Sequence, residues 1–112
     1  MRIIAGKYKG RKLFDFKGDN IRPTTDRVKE TIFNIIQFRV PNAKVVDLFA
    51  GTGALGIEAI SRGAEEVVLV DSSQDSINLI KSNVAKLQEK VSIVKTDARL
   101  YLSRLYTQQD RK

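Results

Sequence analysis

The feature that most constrains this chain is an apolar run that passes into a glycine-rich turn, Val45-Val46-Asp47-Leu48-Phe49-Ala50-Gly51-Thr52-Gly53-Ala54-Leu55-Gly56. The run predicts a strand over 44–47 that is buried on both faces, followed by a short helix that Gly63 caps. Gly51 and Gly53 have no Cβ and can adopt positive φ, so a ligand can approach the main chain there. A strand, a glycine turn and a helix in this order predict a ligand-binding turn of an α/β protein.

The spacing of the glycines points to a class of ligand. Gly51-x-Gly53-x-x-Gly56 matches the dinucleotide fingerprint, which is a weak signal alone because short glycine patterns also arise as plain turns. A second apolar run, Val67 to Val70, ends in Asp71, 20 residues after Gly51. An acid at the tip of the second strand can accept hydrogen bonds from ribose hydroxyls. Together, the two features favour a cofactor that contains adenosine.

Asp47 separates two classes of adenosine cofactor. It ends the first strand, immediately before the turn. The pyrophosphate of NAD is stabilised by the positive end of a helix and repelled by a nearby carboxylate, whereas S-adenosyl-L-methionine carries a sulfonium and an ammonium and no phosphate. Asp47 therefore favours S-adenosyl-L-methionine, and the alternative is that its side chain only caps a turn.

Three blocks of the sequence, in the same order, are similar to one family. The loop Asp47-Leu48-Phe49-Ala50-Gly51-Thr52-Gly53 resembles the cofactor loop of amino-directed nucleic-acid methyltransferases. Two further blocks resemble one branch of them, the bacterial 16S ribosomal RNA guanine-N2 methyltransferases: Met1-Arg2-Ile3-Ile4-Ala5-Gly6-Lys7-Tyr8-Lys9-Gly10-Arg11-Lys12-Leu13 and Arg22-Pro23-Thr24-Thr25-Asp26-Arg27-Val28-Lys29-Glu30. The resemblance covers nearly the whole chain. It implies a partial Rossmann-like α/β fold, in which the first three strands form one half of a doubly wound sheet.

The resemblance also implies roles for individual residues in binding S-adenosyl-L-methionine. Gly51 and Gly53 would line the amino-acid end of the cofactor with Asp47 beside it, and Asp71 would hold the ribose. Other residues of this chain would close over the methionine part of the cofactor or contact the edge of its adenine. The complete set of expected cofactor-binding residues is Arg22, Thr24, Asp47, Phe49, Gly51, Gly53, Asp71, Asp97 and Ala98.

Asp97 and Ala98 follow the third apolar run and would meet the adenine edge by this resemblance. Without the resemblance, Asp97 could equally cap the helix that follows it. Arg22, Pro23 and Thr24 would close over the methionine part of the cofactor.

One element of the family is missing from the sequence. The family carries an Asp- or Asn-Pro-Pro-Tyr/Phe segment after its fourth strand, which holds the target amine and stacks on the base. The chain has two prolines, Pro23 and Pro41, which are not adjacent, and it ends at Lys112 before a fourth strand. We therefore expect the cofactor half without the transfer site, and we expect no catalytic residue in the chain.

Two alternatives come from other classes of protein. The chain could be a non-catalytic RNA-binding module in which the glycine loop is only scaffold. It could also be a fragment of an NAD-dependent oxidoreductase, which the glycine spacing favours and which Asp47 and the N-terminal blocks oppose. The chain has no cysteine and no histidine, which excludes disulfides, thiolate nucleophiles, the usual zinc ligand sets and a histidine base.

The net charge of +7 lies entirely in the N-terminal part of the chain. Residues 1–44 contain eleven Lys or Arg and four acids, whereas residues 45–112 contain nine of each. This asymmetry predicts a polyanionic partner, and the alternative is a solubilising arm. With the resemblance, we expect ribosomal RNA or an assembling small ribosomal subunit. We expect no membrane contact, because no apolar run approaches the ~20 residues of a membrane span, and a cytoplasmic location.

Residues 2–14 predict a basic hairpin, with turns at Gly6 and Gly10. Cations in it can pair with phosphates while a ring stacks on a base or sugar. The alternative is a charged hairpin with Tyr8 packed on the body of the protein. We expect residues 1–22 to dock RNA and residues 23–112 to form the N-terminal half of a methyltransferase domain. The expected RNA-binding residues are Arg2, Lys7, Tyr8, Lys9, Arg11 and Lys12.

Apolar residues at helical spacing predict three buried helix faces. The first helix is expected to begin near Thr24 or Thr25, and Ser73 is expected to cap the second of the three. The expected buried residues are Val28, Ile32, Ile35 and Ile36, then Ile77, Ile80, Val84 and Leu87, and finally Ala98, Tyr101, Leu102 and Leu105.

Alternating strands and helices predict parallel strands in the order 3-2-1, with the third strand over 91–94. Strand 1 would then be an open apolar edge, which favours association with another chain. We therefore expect the chain to form an edge-strand or swapped dimer or to be only marginally stable.

Overall fold

Helices and strands alternate in the computed structural model, which describes residues 2–15, 23–89 and 91–109. The elements in chain order are α1 (Pro23–Ile36), β1 (Lys44–Asp47), α2 (Ala54–Ser61), β2 (Glu66–Asp71), α3 (Gln74–Val84), β3 (Ser92–Lys95) and α4 (Ala98–Gln109). The predicted α/β class is confirmed. Two elements differ from the prediction, since α1 begins at Pro23 and β3 lies one residue later than expected.

The three strands form one parallel sheet in the order β1-β2-β3, which confirms the predicted order 3-2-1. The central strand β2 is the most deeply buried, with Leu69 and Val70 both 0% exposed. The edge strand β1 is only half covered, and Val46 is 41% exposed. The prediction that β1 is buried on both faces is wrong, because the packed helices leave the side chain of Val46 partly uncovered.

Gly56 allows α2 to lie directly on the sheet. A Cβ at this position would lie 2.1 Å from Cδ2 of Leu69, a distance at which one of the two elements would have to move. Ile57 and Ile60 of α2 and Ile80 of α3 belong to the same buried cluster as Leu69. This close contact brings the N-terminal end of α2, and the glycine turn before it, to the carboxyl end of the sheet.

The buried face of α1 differs from the predicted one. Phe33 is 3% exposed and Lys29 is 2% exposed. The four residues predicted to face the core are instead largely exposed: Val28 at 53%, Ile32 at 38%, Ile35 at 77% and Ile36 at 36%. The helix is rotated because the Lys29 ammonium is drawn to a buried carboxylate, Glu58, at 3.2 Å. The predicted apolar stripe therefore lies on the surface.

The buried face of α3 agrees with the predicted one, and that of α4 agrees in part. Ile77, Ile80 and Leu87 are buried, and Ser73 caps α3 by accepting a hydrogen bond from the Ser76 N–H at 3.4 Å. In α4 the predicted face is only partly covered, and Leu102 is 50% exposed, so that part of the prediction is wrong. Among the described residues, no helix has the length and apolarity that crossing a bilayer requires.

The N-terminal segment folds back on itself as predicted. An antiparallel bridge joins Arg2 to Lys12, and the Ile3 N–H donates to the Arg11 carbonyl at 3.0 Å. Ile3 and Leu13 are buried in the main core. The segment is thus a hairpin held together by few ladder bonds, and its position depends on contacts with the helices.

A fully buried carboxylate, Glu58 of α2, provides the central contact. Its oxygens accept hydrogen bonds from the N–H groups of Ile4 at 2.9 Å and Ala5 at 3.1 Å, and from the Arg62 guanidinium at 2.8 Å. Burial alone would raise the pKa of Glu58, but these donors and the Lys29 ammonium outweigh it, so the pKa lies below its ordinary value of 4.5. Glu58 therefore holds the N-terminal segment, α1 and α2 together.

Replacing Glu58 with Gln is expected to lower the free energy of unfolding by about 3 kcal/mol at pH 7, because Lys29 would remain buried without its charge partner. A carboxyl group with a lowered pKa stabilises the folded state above its ordinary pKa, and this contribution is lost as pH falls. The loss in E58Q should therefore be largest well above pH 4.5 and shrink as pH falls below that value. Urea unfolding at several pH values measures this, with exposed Glu65→Gln as control. Equal stability of E58Q and wild type at pH 7 would contradict the account.

Candidate functional site

A cavity of about 200 Å³ opens at the carboxyl ends of the three strands. It brings together four of the predicted cofactor-binding residues, Phe49, Asp71, Asp97 and Ala98, which lie at or just after the ends of the three strands. Ligands of open parallel sheets bind at this end of the strands. The full lining is Leu48, Phe49, Asp71, Ser72, Thr96, Asp97, Ala98 and Arg99.

Asp71 holds the glycine turn against the end of β2. Its Oδ2 accepts a hydrogen bond from the Gly51 N–H at 2.9 Å, and its Oδ1 accepts one from the Ser73 N–H at 2.9 Å. The sequence did not predict the bond to Gly51, because only the folded sheet brings the two residues together. An ionised carboxylate offers about four acceptor positions, so Asp71 can still accept hydrogen bonds from two ribose hydroxyls.

The two predicted cofactor-loop glycines differ in their surroundings. Gly51 has φ of 55°, and no heavy atom lies within 4 Å of the position its Cβ would occupy. The positive φ agrees with the prediction, and the space beside the main chain at Gly51 is free of other protein atoms. Gly53 has φ of 85° and is buried, since a Cβ there would lie 3.3 Å from Ile57 and 3.5 Å from Ile80. Gly53 shapes the turn at the start of α2 and faces the core.

The carboxylate of Asp47 both caps a turn and retains one unpartnered oxygen. Its Oδ1 accepts a hydrogen bond from the Phe49 N–H at 3.3 Å, which is the alternative that the sequence left open. Its Oδ2 is buried and has no hydrogen-bond partner among the described residues. Burial raises the pKa of Asp47 and the nearby charge of Asp71 adds to it, which together outweigh the lowering by the backbone N–H groups of Phe49 and Gly56. The Gly56 N–H acts on the carboxylate without making a hydrogen bond of normal geometry to Oδ2. A buried carboxylate oxygen without a donor fits a cationic ligand.

Asp97 is consistent with both interpretations that the sequence allowed. Its Oδ1 accepts a hydrogen bond from the Arg99 N–H at 2.7 Å, at the start of α4, and the residue lines the cavity beside Ala98. Arg99, Thr96 and Ser72 line the same cavity and were missed from the sequence. Ser72 and Thr96 were signalled only by their position just after the predicted strands, and Arg99 only by its place beside Ala98.

Three other predicted cofactor-binding residues either lie outside the described residues or border more than one cavity. Arg22 and the side chain of Thr24 lie outside the described residues. Phe49 is 81% exposed and borders a second, larger cavity of about 290 Å³ as well. That second cavity is largely apolar and lies between α1, β1 and α2, with Ile32, Ile36 and Val46 in its lining. The predicted cofactor residue Asp47 lines this second cavity and not the one at the strand ends.

The predicted RNA-binding residues fall into two groups. Arg2, Lys9 and Lys12 are exposed, and so can meet a phosphate. Lys7 is also exposed but forms an ion pair with Glu89 at 2.8 Å, and the Arg11 guanidinium donates to the Lys86 carbonyl.

Tyr8 is packed on the body, which is the alternative that the sequence left open. Its side chain is 4% exposed, and its hydroxyl donates to Glu89 at 3.2 Å. The Lys7 ammonium and the Arg11 guanidinium lie 5.4 and 4.7 Å from its ring centroid. Because both the ring and the hydroxyl are engaged, Tyr8 does not offer a face to a base in this conformation.

Comparison with known families decides the relationship. The chain matches the family described as Conserved hypothetical protein 95 over residues 1–111. It belongs to this family. Among curated proteins, it is 49% identical over 88 residues to a candidate rRNA methyltransferase of Bacillus subtilis (strain 168), covering 79% of this chain and 48% of that protein. It is 38% identical over 104 residues to Ribosomal RNA small subunit methyltransferase D of Escherichia coli (strain K12), covering 92% of this chain and 52% of that protein.

Solved structures show the same relationship. A hypothetical protein of Thermus thermophilus superposes with a TM-score of 0.83 at 30% identity, covering 97% of this chain and 63% of that one. A SAM-dependent methyltransferase from Agrobacterium tumefaciens superposes with a TM-score of 0.63 at 28% identity, covering 75% of this chain and 28% of that one. The predicted Rossmann-like fold is confirmed. The chain spans about half the length of the curated relatives it matches.

Replacing Asp47 with Asn is expected to raise the melting temperature of the ligand-free chain by about 2–5 °C at pH 7. A carboxyl group with a raised pKa costs stability when it ionises, so the gain should shrink as pH falls through the raised pKa towards the ordinary value of 3.8. Calorimetric melting at pH 4 and pH 7 measures the effect, with exposed Asp75→Asn as the matched control. A lower melting temperature of D47N at pH 7 would contradict the assignment of a carboxylate whose charge is destabilised by burial.

Proposed function

We propose that this chain is the cofactor-binding and RNA-docking part of an S-adenosyl-L-methionine-dependent RNA methyltransferase. The single observation that carries the proposal is the cavity at the strand ends, where Asp71, Asp97 and Ala98 meet beside the open main chain of Gly51. The rRNA methyltransferase names of relatives and the SAM-dependent structural neighbour support it. The proposed substrate is the exocyclic N2 of a guanine in 16S rRNA, as naked RNA or in an assembling small subunit, in the cytoplasm.

The chain's own residues suit a nucleoside that carries positive charge. Asp71 is oriented by two backbone N–H groups and would accept hydrogen bonds from the ribose. Asp97 and Ala98 would border the adenine, and the unpartnered Oδ2 of Asp47 would attract the cationic end. When bound, S-adenosyl-L-methionine supplies an electrophilic methyl group to an attacking amine. The protein contributes position and charge, with no metal or covalent nucleophile required.

We expect calorimetry to show that S-adenosylhomocysteine binds the chain weakly and that NAD does not bind. Asp71→Asn should weaken the binding of S-adenosylhomocysteine at least 10-fold. An amide has only one acceptor oxygen, so it cannot accept hydrogen bonds both from the Gly51 N–H and from the ribose with separate oxygens, as the carboxylate can. Exposed Asp75→Asn is the matched control and should bind as wild type does. Heat from NAD with none from S-adenosylhomocysteine would favour the oxidoreductase, and no heat from either would favour a non-catalytic RNA-binding module.

The N-terminal part, residues 1–22, is the proposed RNA-docking region, and residues 23–112 the proposed cofactor half. Arg2, Lys9 and Lys12 are exposed in the described part of this region, and phosphate contacts supply most non-specific affinity for nucleic acid. Lys7 and Arg11 would join them only by exchanging their present partners. Tyr8 is left out of the proposed contact surface because it is buried.

A Lys9→Ala/Lys12→Ala double variant is expected to weaken binding to an RNA stem-loop and to reduce the salt dependence. The slope of log affinity against log salt should become smaller by about 1–2, one for each lost phosphate contact. Fluorescence anisotropy at several salt concentrations measures both quantities, with exposed Arg104→Ala of α4 as control. An unchanged slope in the double variant would place the RNA elsewhere.

We further propose that these 112 residues do not transfer a methyl group by themselves. The sequence contains no Asp- or Asn-Pro-Pro-aromatic segment, which in the family resembled holds the target amine. A radiolabelled methyl-transfer assay on 16S rRNA should therefore give no product from the purified chain. Turnover would show that the missing segment is dispensable.

The exposed apolar face supports the proposal that the chain associates with a second copy. The face combines the uncovered edge of β1 with the exposed stripe of α1, and such edges favour pairing. Ile35→Lys, at a residue that is 77% exposed, should shift the chain towards monomer in light scattering. Asn34→Lys, which is also exposed and lies outside the stripe, is the matched control. A wild-type monomer at high concentration would overturn the proposal.

A further inference from the structure

The side chain of Asn83 bonds to two separate parts of the chain from the last turn of α3. It is 0% exposed. Its Oδ1 accepts a hydrogen bond from the Phe14 N–H at 2.6 Å, and its Nδ2 donates to the Phe14 carbonyl at 3.0 Å and to the Thr52 carbonyl at 2.8 Å. Asn83 thus pairs with both backbone groups of Phe14, as a neighbouring strand would, and reaches the glycine loop with the same amide.

Each of these two contacts belongs to a region with a proposed ligand. Thr52 lies between the two loop glycines, one of which donates to Asp71. Phe14 ends the basic N-terminal segment, whose Lys12 carbonyl accepts a hydrogen bond from the Lys86 ammonium at 2.6 Å. The same ammonium lies 4.0 Å from the Phe14 ring centroid. The end of the segment is therefore fixed on α3 at the point where α3 also holds the loop.

The chemistry of this contact is particular to asparagine. An amide presents an acceptor and a donor side by side, which a peptide group needs for a two-way pair, and it has a second N–H for another carbonyl. Aspartate would keep only the bond from the Phe14 N–H and would place negative charge beside two carbonyl oxygens. Leucine has a similar size but offers no hydrogen bond, and it would leave three partly buried backbone groups without this partner.

We propose that Asn83 is a positioning residue that couples RNA binding at the N-terminal segment to cofactor binding at the glycine loop. The inference rests on the proposed function for the identity of the two ligands. RNA that holds the segment fixes Phe14, which fixes the Asn83 amide and the Thr52 carbonyl. The loop then loses less conformational freedom when the cofactor binds. By linkage, the cofactor strengthens RNA binding by the same factor.

Calorimetry with the 112-residue chain tests the coupling. S-adenosylhomocysteine should bind at least about 5-fold more tightly when a short RNA stem-loop is saturating. In Asn83→Leu and Asn83→Asp, this ratio of affinities with and without RNA should fall to about 1. If the role of Asn83 were purely structural, the variants would have a lower melting temperature and an unchanged ratio. Exposed Ser82→Ala, one residue away, should keep the full factor. A wild-type factor of 1 with both ligands bound overturns the inference, and this arm requires no variant to fold.

Amide hydrogen exchange on the ligand-free chain separates this inference from the proposed function. In Asn83→Asp, exchange should become faster together in residues 12–15 and 51–54, with Ser82→Ala unchanged. Faster exchange in residues 12–15 alone would overturn the inference, because Asn83 would then anchor the segment without holding the loop. If the wild-type chain binds neither ligand, the proposed function fails, and the exchange result still decides whether Asn83 joins the two regions.

Discussion

The carboxylate of Asp71 is the interaction on which the candidate site depends. It stands at the end of the central, most deeply buried strand, and it accepts hydrogen bonds from the N–H of the glycine turn and from the start of α3. Since β2 is fixed by a strand on each side, the loop that follows β1 is fixed with it. One side chain therefore sets the shape of the cavity and remains available to a ribose.

Outside the cavity, buried polar groups hold the other elements in place. Glu58 joins the N-terminal segment to α1 and α2, and Asn83 joins the same segment to α3 and the glycine loop. The segment has little regular structure of its own, so these bonds specify where it lies. A buried donor or acceptor that loses its partner costs more than an apolar contact of similar area. The basic segment is thus held in one place relative to the cavity.

Features that depend on local sequence pattern were predicted correctly, whereas features that depend on a residue far away in the chain were not. The glycine turn, the strand order and the buried face of α3 follow from backbone preference and periodicity. The buried face of α1 does not, because Lys29 pairs with Glu58 of another helix, and α1 turns to allow it. Tyr8 is buried for the same kind of reason, since its hydroxyl partner Glu89 lies 81 residues along the chain. The bond from Gly51 to Asp71 could be found only once the register of the sheet was known.

A crystal structure of the chain grown with S-adenosylhomocysteine tests the central claim most directly. We expect the ribose hydroxyls within hydrogen-bond distance of Asp71, the adenine beside Asp97 and Ala98, and the amino-acid end near Gly51 and Asp47. Density for the adenosine part in the apolar cavity between α1 and β1, or a site that accepts the diphosphate of NAD at Gly51 and leaves S-adenosylhomocysteine unbound, would contradict this placement.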